Sequence, residues 1–161
     1  MAVLKLQKYG SPLLREKAMP VNKVDDEIRE LVNDMIETMY AEGGVGLAAP
    51  QVGISKRIIV IDNEEKEVLV LINPVIVKRA GEVKEEEGCL SIPGVYSPVR
   101  RSSLITVEAL DLNEKKIQIT KEGFLAIVLQ HEIDHLDGYL FIDRISPAKR
   151  LMLKEQLKSI E

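Results

Sequence analysis

Both histidines of the chain fall within one five-residue stretch, His131-Glu132-Ile133-Asp134-His135, and no other feature restricts the fold as strongly. Phe124, Ile127 and Val128 precede His131 at spacings of 7, 4 and 3. The stretch therefore predicts a helix with one face made of Phe124, Ile127, Val128, His131 and His135. Imidazoles four residues apart on a helix stand one turn from each other on the same side. That face is apolar, so it belongs inside the molecule, and burying two unpaired imidazoles there costs free energy. A shared metal ion supplies the reason for them. Glu132, next to the first histidine, is placed to act as general base on a water beside such an ion.

The remaining patterning predicts what surrounds this helix. Asp25 and Asp26 precede an amphipathic helix with Ile28, Leu31, Val32, Met35, Ile36 and Met39 on one side, ended by Gly43-Gly44. Ser11-Pro12 opens a short helical turn. Aliphatic runs at 57–62, 68–72, 75–78, 104–110 and 116–120 read as strands, with a hairpin turn at 111–114. Gly138 closes the histidine helix, and Ser146-Pro147 caps a last helix. Strands and helices are segregated. The expected fold is α+β, with mostly antiparallel sheets packed around the central His131–His135 helix, an N-terminal helix and a C-terminal helix. At 161 residues, 45% hydrophobic, the chain suits a single domain over 1–161. A net charge of -4 argues against a broad phosphate-binding surface, so no direct reading of nucleic acid is expected. No run approaches the roughly 20 apolar residues of a membrane span. Neither a leader segment nor a disulfide framework is expected of a chain with one cysteine, which points to the cytoplasm.

A hydrolytic metal site needs a third protein ligand and an open position for water. In the metzincin pattern that ligand would be a histidine where this chain has Phe141, which cannot ligate. In the thermolysin pattern it would be a glutamate, and Glu155 falls there. The remaining candidate is Cys89, within Glu87-Gly88-Cys89-Leu90-Ser91-Ile92-Pro93-Gly94. Gly88 permits the close backbone approach that a metal loop often needs. By residue type alone both Glu155 and Cys89 stay open. A further segment, Gly44-Val45-Gly46-Leu47-Ala48-Ala49-Pro50-Gln51, lacks the Lys-Ser/Thr of a phosphate loop. Its small residues let a backbone approach a ligand closely, and Gln51 adds an uncharged N–H donor.

Taken together, the segments 44–51, 87–91 and 130–138 resemble the three motifs of peptide deformylase: GxGxAAxQ, EGCLS and QHExDHLxG. Their order and separations fit as well, and the resemblance extends over most of the chain, closest to the bacterial type. It implies metal ligands Cys89, His131 and His135, with Glu132 as the catalytic acid–base. It implies polarisation of a carbonyl by the Gln51 side chain and the Leu90 backbone N–H. Peptide contacts would involve Gly44, Val45, Gly46, Glu87 and Gly88. The implied reaction is removal of the N-formyl group from N-formylmethionyl nascent chains, releasing formate. The implied ion is Fe2+, replaceable by Ni2+, Co2+ or, less effectively, Zn2+. Where some members carry arginine seven residues after the cysteine, this chain has Tyr96, and Arg100 or Arg101 is the nearby candidate for a peptide contact.

An apolar pocket for a methionine side chain is expected from Phe124, Ile127, Val128 and Val45. The last helix carries Lys149, Arg150, Lys154 and Lys158. It reads first as a solvated face, and the resemblance adds the ribosome as a partner it can dock on.

Overall fold

The computed structural model describes residues 2–63, 65 and 67–160. After a 3-10 turn at Pro12–Arg15, as Ser11-Pro12 predicts, the first α-helix is α1 (Asp26–Ala41), whose N-cap Asp25 accepts a hydrogen bond from the Ile28 N–H at 3.0 Å. Its apolar stripe, Ile28, Val32, Met35 and Met39, is buried, with Leu31 and Ile36 packed beside it. β1 (Gly46–Ala48), β2 (Ile58–Asp62), β3 (Val68–Ala80), β6 (Leu104–Leu110) and β7 (Lys116–Glu122) form one antiparallel sheet in the order β1-β2-β3-β6-β7. Ile58, Ile59, Val60 and Ile61 are all at 0% exposure because β2 is covered on both faces. Successive strand side chains point to opposite sides. Ile58 and Val60 pack in the α1 cluster, while Ile59 and Ile61 pack with the histidine helix. This is why β2 is a continuous apolar run rather than an alternating one.

That helix, α2 (Phe124–Leu136), is buried from Ala126 through Leu136. A helix apolar nearly all round belongs at the centre of a fold, and α2 lies there. Gly138 ends it at φ +81, and a Cβ at this position would stand 2.5 Å from the Arg15 carbonyl oxygen, so no side chain fits. The architecture is the expected α+β arrangement of antiparallel sheets around a central helix. No helix among the described residues is long and apolar enough to cross a membrane.

Three details differ from the sequence reading. The runs at 68–72 and 75–78 join in the single strand β3, with a register shift between Ile72 and Val75. Pro74 cannot donate to a sheet ladder and sits in this irregularity. Asn73 beside it takes φ 54 and bonds its side chain to the Val21 N–H and carbonyl. Second, β4 (Val83–Cys89) and β5 (Ile92–Arg101) form a separate two-stranded sheet. Its acidic stretch and two prolines mask a strand signal, but a two-stranded ribbon has only edges, where Pro and charge are tolerated. Third, the C-terminal helix is two short helices, α3 (Pro147–Met152) and α4 (Lys154–Lys158), meeting at Leu153. Ser146 caps the first by accepting from the Lys149 N–H, as expected.

Candidate active site

Four elements deliver side chains to one cleft of about 840 Å³. Its walls include Gly44, Val45 and Gly46 leading into and along β1, Gln51 from the 3-10 turn after it, and Glu87, Gly88, Cys89 and Leu90 from the β4–β5 hairpin. From α2 come Phe124, Ile127, Val128, His131 and Glu132. The ligand, catalytic and peptide-contact residues expected from the three motifs, and the pocket candidates, thus all line this cleft except His135, one turn deeper and 1% exposed, whereas Glu155, Arg100 and Arg101 do not line it. Phe124 and Val45, expected in a buried pocket, are 49% and 43% exposed and form its rim.

The ligating atoms of Cys89, His131 and His135 all lie within 4.8 Å of one another, the one such group among the described residues. Cys89 Sγ is 3.4 Å from His135 Nε2. Bond lengths of about 2.3 Å to sulfur and 2.0–2.1 Å to nitrogen around one tetrahedral ion put such atoms roughly 3.4–3.6 Å apart, so the donor set fits a divalent metal. Glu155, the competing candidate, is exposed on α4 and is not in the group. Phe141, excluded as a ligand, instead stacks on the His131 ring at 6.3 Å between centroids.

Glu87 Oε1 lies 3.0 Å from His131 Nδ1, leaving the other ring nitrogen for the ion. Both Glu87 oxygens also accept from Arg101, at 2.9 Å each. Glu87 lines the cleft with both oxygens engaged by Arg101 and His131, and Arg101, bonded to Glu87 and Asp134, lies outside the cleft lining. Arg100 is exposed and pairs with Glu82, outside the cleft.

Gln51 is buried and oriented at both ends of its amide. Its Oε1 accepts from the Ala48 N–H at 2.9 Å, while Nε2 donates to Ser91 Oγ at 3.2 Å and to Cys89 Sγ at 3.6 Å. Ser91 and the Arg101–Asp134 pair were not singled out in the sequence. The alternation Val95, Ser97, Val99, Arg101 along β5 is the signal that places Arg101 inward.

Charge balance in the metal-free site is unusual. Burial pushes the Glu132 carboxyl up to about 7, the positive charge of His131 opposing this and the negative charge of Glu87 adding to it. Glu132 Oε1 is buried with no hydrogen-bond partner among the described residues, as is His135 Nδ1. Burial, then repulsion from His131, holds the His135 imidazole well below its ordinary value. For His131 burial also opposes charge, but Cys89, Glu87 and Glu132 outweigh it and favour the cation. The site thus attracts positive charge where the ligand atoms meet.

Gly46 makes room for Glu132. A Cβ there would lie 2.8 Å from Glu132 Oε2 and 3.0 Å from Val128 Cγ1. Gly46→Ala is expected to displace the carboxylate and cut kcat by about 10²-fold, as small misplacements of reacting groups do. Steady-state kinetics with unchanged circular dichroism checks this, and a kcat within twofold of the parent would contradict it.

The chain matches the family model described as "Polypeptide deformylase" over residues 3–151. A peptide deformylase of Thermodesulfovibrio yellowstonii is 47% identical over 99% of both chains, and one of Halothermothrix orenii is 52% identical over 90% of this chain and 95% of its own. Among solved structures, a deformylase from Legionella pneumophila superposes with a TM-score of 0.93 at 49% identity, covering 98% of this chain and 95% of that one. A deformylase from Synechococcus elongatus, in complex with actinonin, superposes with a TM-score of 0.90 at 45% identity, covering 97% and 86%.

Proposed function

This chain belongs to the polypeptide deformylase family, an enzyme family, and on that premise we propose that it hydrolyses the formyl amide of N-terminal formylmethionine on nascent polypeptides, releasing formate. The observation that carries this reading is the convergence of Cys89, His131 and His135 beside Glu132 in one open cleft. Both sheets and α2 contribute to that cleft, which supports one catalytic unit over residues 1–161.

Cys89 Sγ and one ring nitrogen from each of His131 and His135 would hold a divalent ion. When bound, such an ion acidifies a coordinated water and polarises the carbonyl. Glu132 is the proton carrier. Its carboxylate takes a proton from the attacking water and delivers it to the amine nitrogen as the C–N bond breaks. Its Oε1 is buried with no hydrogen-bond partner among the described residues, which leaves it able to carry that proton. One Gln51 Nε2 hydrogen, turning from its long 3.6 Å contact with Cys89 Sγ, and the Leu90 N–H stabilise the negative charge that develops on the formyl oxygen, each worth about 2.7–4 kcal/mol. Gly44, Val45, Gly46 and Gly88 line the cleft where the peptide backbone would lie, and the space left by the three glycines is taken by Leu90, Glu132 and Tyr96. Fe2+ is the proposed resident ion, with Zn2+, Ni2+ or Co2+ as substitutes, since a Cys/His/His set accepts all of them. The reaction places the enzyme in the cytoplasm. Exposed Leu151 and Met152 on α3, beside Lys149 and Arg150, support docking of this end at the ribosome.

Anaerobic purification with metal analysis, together with formate release from formyl-Met-Ala-Ser, tests the proposal. About one metal per chain and formate release are expected. A metal-loaded protein that releases no formate would overturn it.

Ile127 and Val128, with Phe124 and Val45 at the rim, favour an apolar first side chain. Burying a methionine side chain is worth roughly 1.5–3 kcal/mol. Formyl-Met-Ala should therefore exceed formyl-Asp-Ala in kcat/KM by about 10- to 100-fold. Equal values would remove the pocket from the account.

A further inference from the structure

We infer that Arg144, outside the substrate cleft, is a positioning residue for His131, acting through Asp134, Arg101 and Glu87. The inference rests on the proposed role of His131 as a metal ligand.

The four side chains form a continuous ladder of charged hydrogen bonds. Arg144 grips Asp134 at two points, Nη2 to Oδ1 at 2.9 Å and Nε to Oδ2 at 3.2 Å. Arg101 Nη1 donates to the same Asp134 Oδ2 at 2.6 Å. The Arg101 fork then binds both Glu87 oxygens, and Glu87 Oε1 meets His131 Nδ1. His131 and Asp134 are three residues apart on α2, so both face the β4–β5 ribbon from which Glu87 and Arg101 come.

Counting charge shows why the outermost member matters. Glu87, Arg101 and Asp134 have side chains 5%, 5% and 13% exposed. With His131 neutral, as a metal ligand must be, two carboxylates share one buried guanidinium, which leaves a net negative charge away from water. Arg144 restores neutrality, and its own position is fixed by the Tyr139 ring, 4.8 Å beneath the guanidinium. Without Arg144, Asp134 Oδ1 has no remaining bond among the described residues. An under-compensated Asp134 then competes with Glu87 for the Arg101 fork. Glu87 is the group that holds the His131 ring, so weakening its hold on Arg101 loosens the ring. Partners of metal-binding histidines set ring orientation and ligand basicity in this way. Arg144 is 44% exposed at its side chain, so its replacement leaves the core intact.

The test compares Arg144→Met, Arg144→Lys and a control, Arg29→Met, which removes an exposed arginine whose bond goes to the Leu112 carbonyl. Two readouts are independent of turnover. The first is the rate at which the Zn2+-loaded protein releases metal to excess chelator. The second is the 15N spectrum of the two imidazoles in the metal-free protein, simple to interpret because the chain has two histidines. Arg144→Met should release zinc about 10-fold faster, the lower end of the range for such outer partners. It should also shift one imidazole's resonances. Arg144→Lys, which keeps the charge, should recover at least half of that effect on a logarithmic scale. Unchanged release and unchanged imidazole resonances would overturn the inference, whatever happens to the melting temperature. An equal effect of Arg29→Met would also overturn it. A parent protein that retains no zinc would instead overturn the metal-site reading, a failure distinct from that of the ladder.

Discussion

Cys89→Ala is expected to produce a folded protein that no longer retains a divalent ion and no longer releases formate. Of the three candidate ligand atoms, the sulfur is the one that α2 does not supply. It comes from the tip of the β4–β5 ribbon and meets His135 Nε2 at 3.4 Å. Structural zinc sites bind with about 10–16 kcal/mol in total, so removing one of three protein ligands forfeits roughly 3–5 kcal/mol. At about 1.4 kcal/mol per factor of ten, retention weakens by some 10³-fold. The fold should survive because Cys89 is only partly buried, at the margin of the cluster built from Leu14, Ile92, Val95 and Phe141. Metal analysis after gel filtration, with a thermal melt, measures both parts. Glu155→Ala is the discriminating companion: it should keep its metal. A Cys89→Ala protein with a full complement of metal, or a Glu155→Ala protein without it, would return the third ligand to the peptidase pattern.

Glu132→Gln should do the opposite, keeping the ion and losing turnover. Positioned proton transfer contributes about 10²–10⁴-fold, and kcat should fall by that range while metal content stays level. The same variant carries a pH signature in the metal-free protein. Burial raises the Glu132 carboxyl from 4.5 to about 7 in the folded chain. Between those values the folded state binds more protons than the unfolded state. Stability contributed by this group is therefore full below the unfolded value and is lost as pH rises through the folded one. A difference of about 2.5 pKa units corresponds to roughly 3 kcal/mol. Gln cannot ionise, so the variant should gain on the parent by about that much between roughly pH 4.5 and pH 8, as read by denaturant unfolding. A constant difference between the two proteins would show that Glu132 does not carry this raised value.

Much of the arrangement was legible in advance because it is written in local periodicity. α1 and α2 follow from residues three and four apart, and β2, β6 and β7 from short aliphatic runs. The β4–β5 ribbon was not legible as strands. Its stabilising partners, Ile92, Val95 and Val99 packed on Phe141 and Leu157, lie 40 or more residues away along the chain. Its local composition of acid, glycine and proline argues for a loop. The buried pairing of Glu87 was hidden for a related reason. A glutamate in a run of three reads as solvated or peptide-binding, and only the inward turn of Arg101 on the neighbouring strand gives it a buried partner.

By itself the sequence determined that a helix would carry two imidazoles and a carboxylate on a buried face, and narrowed the third ligand to a thiol or a distant glutamate. Helical and strand periods are properties of neighbours along the chain, and they survive in one dimension. The tertiary structure alone brings a third donor atom beside the two imidazoles and shows what restrains them. Hydrogen bonds and charge balance act over about 3 Å in space and are blind to chain separation. Thus Cys89, 42 residues before His131, joins the candidate metal group, while Arg144 is tied through Asp134 to the same imidazole.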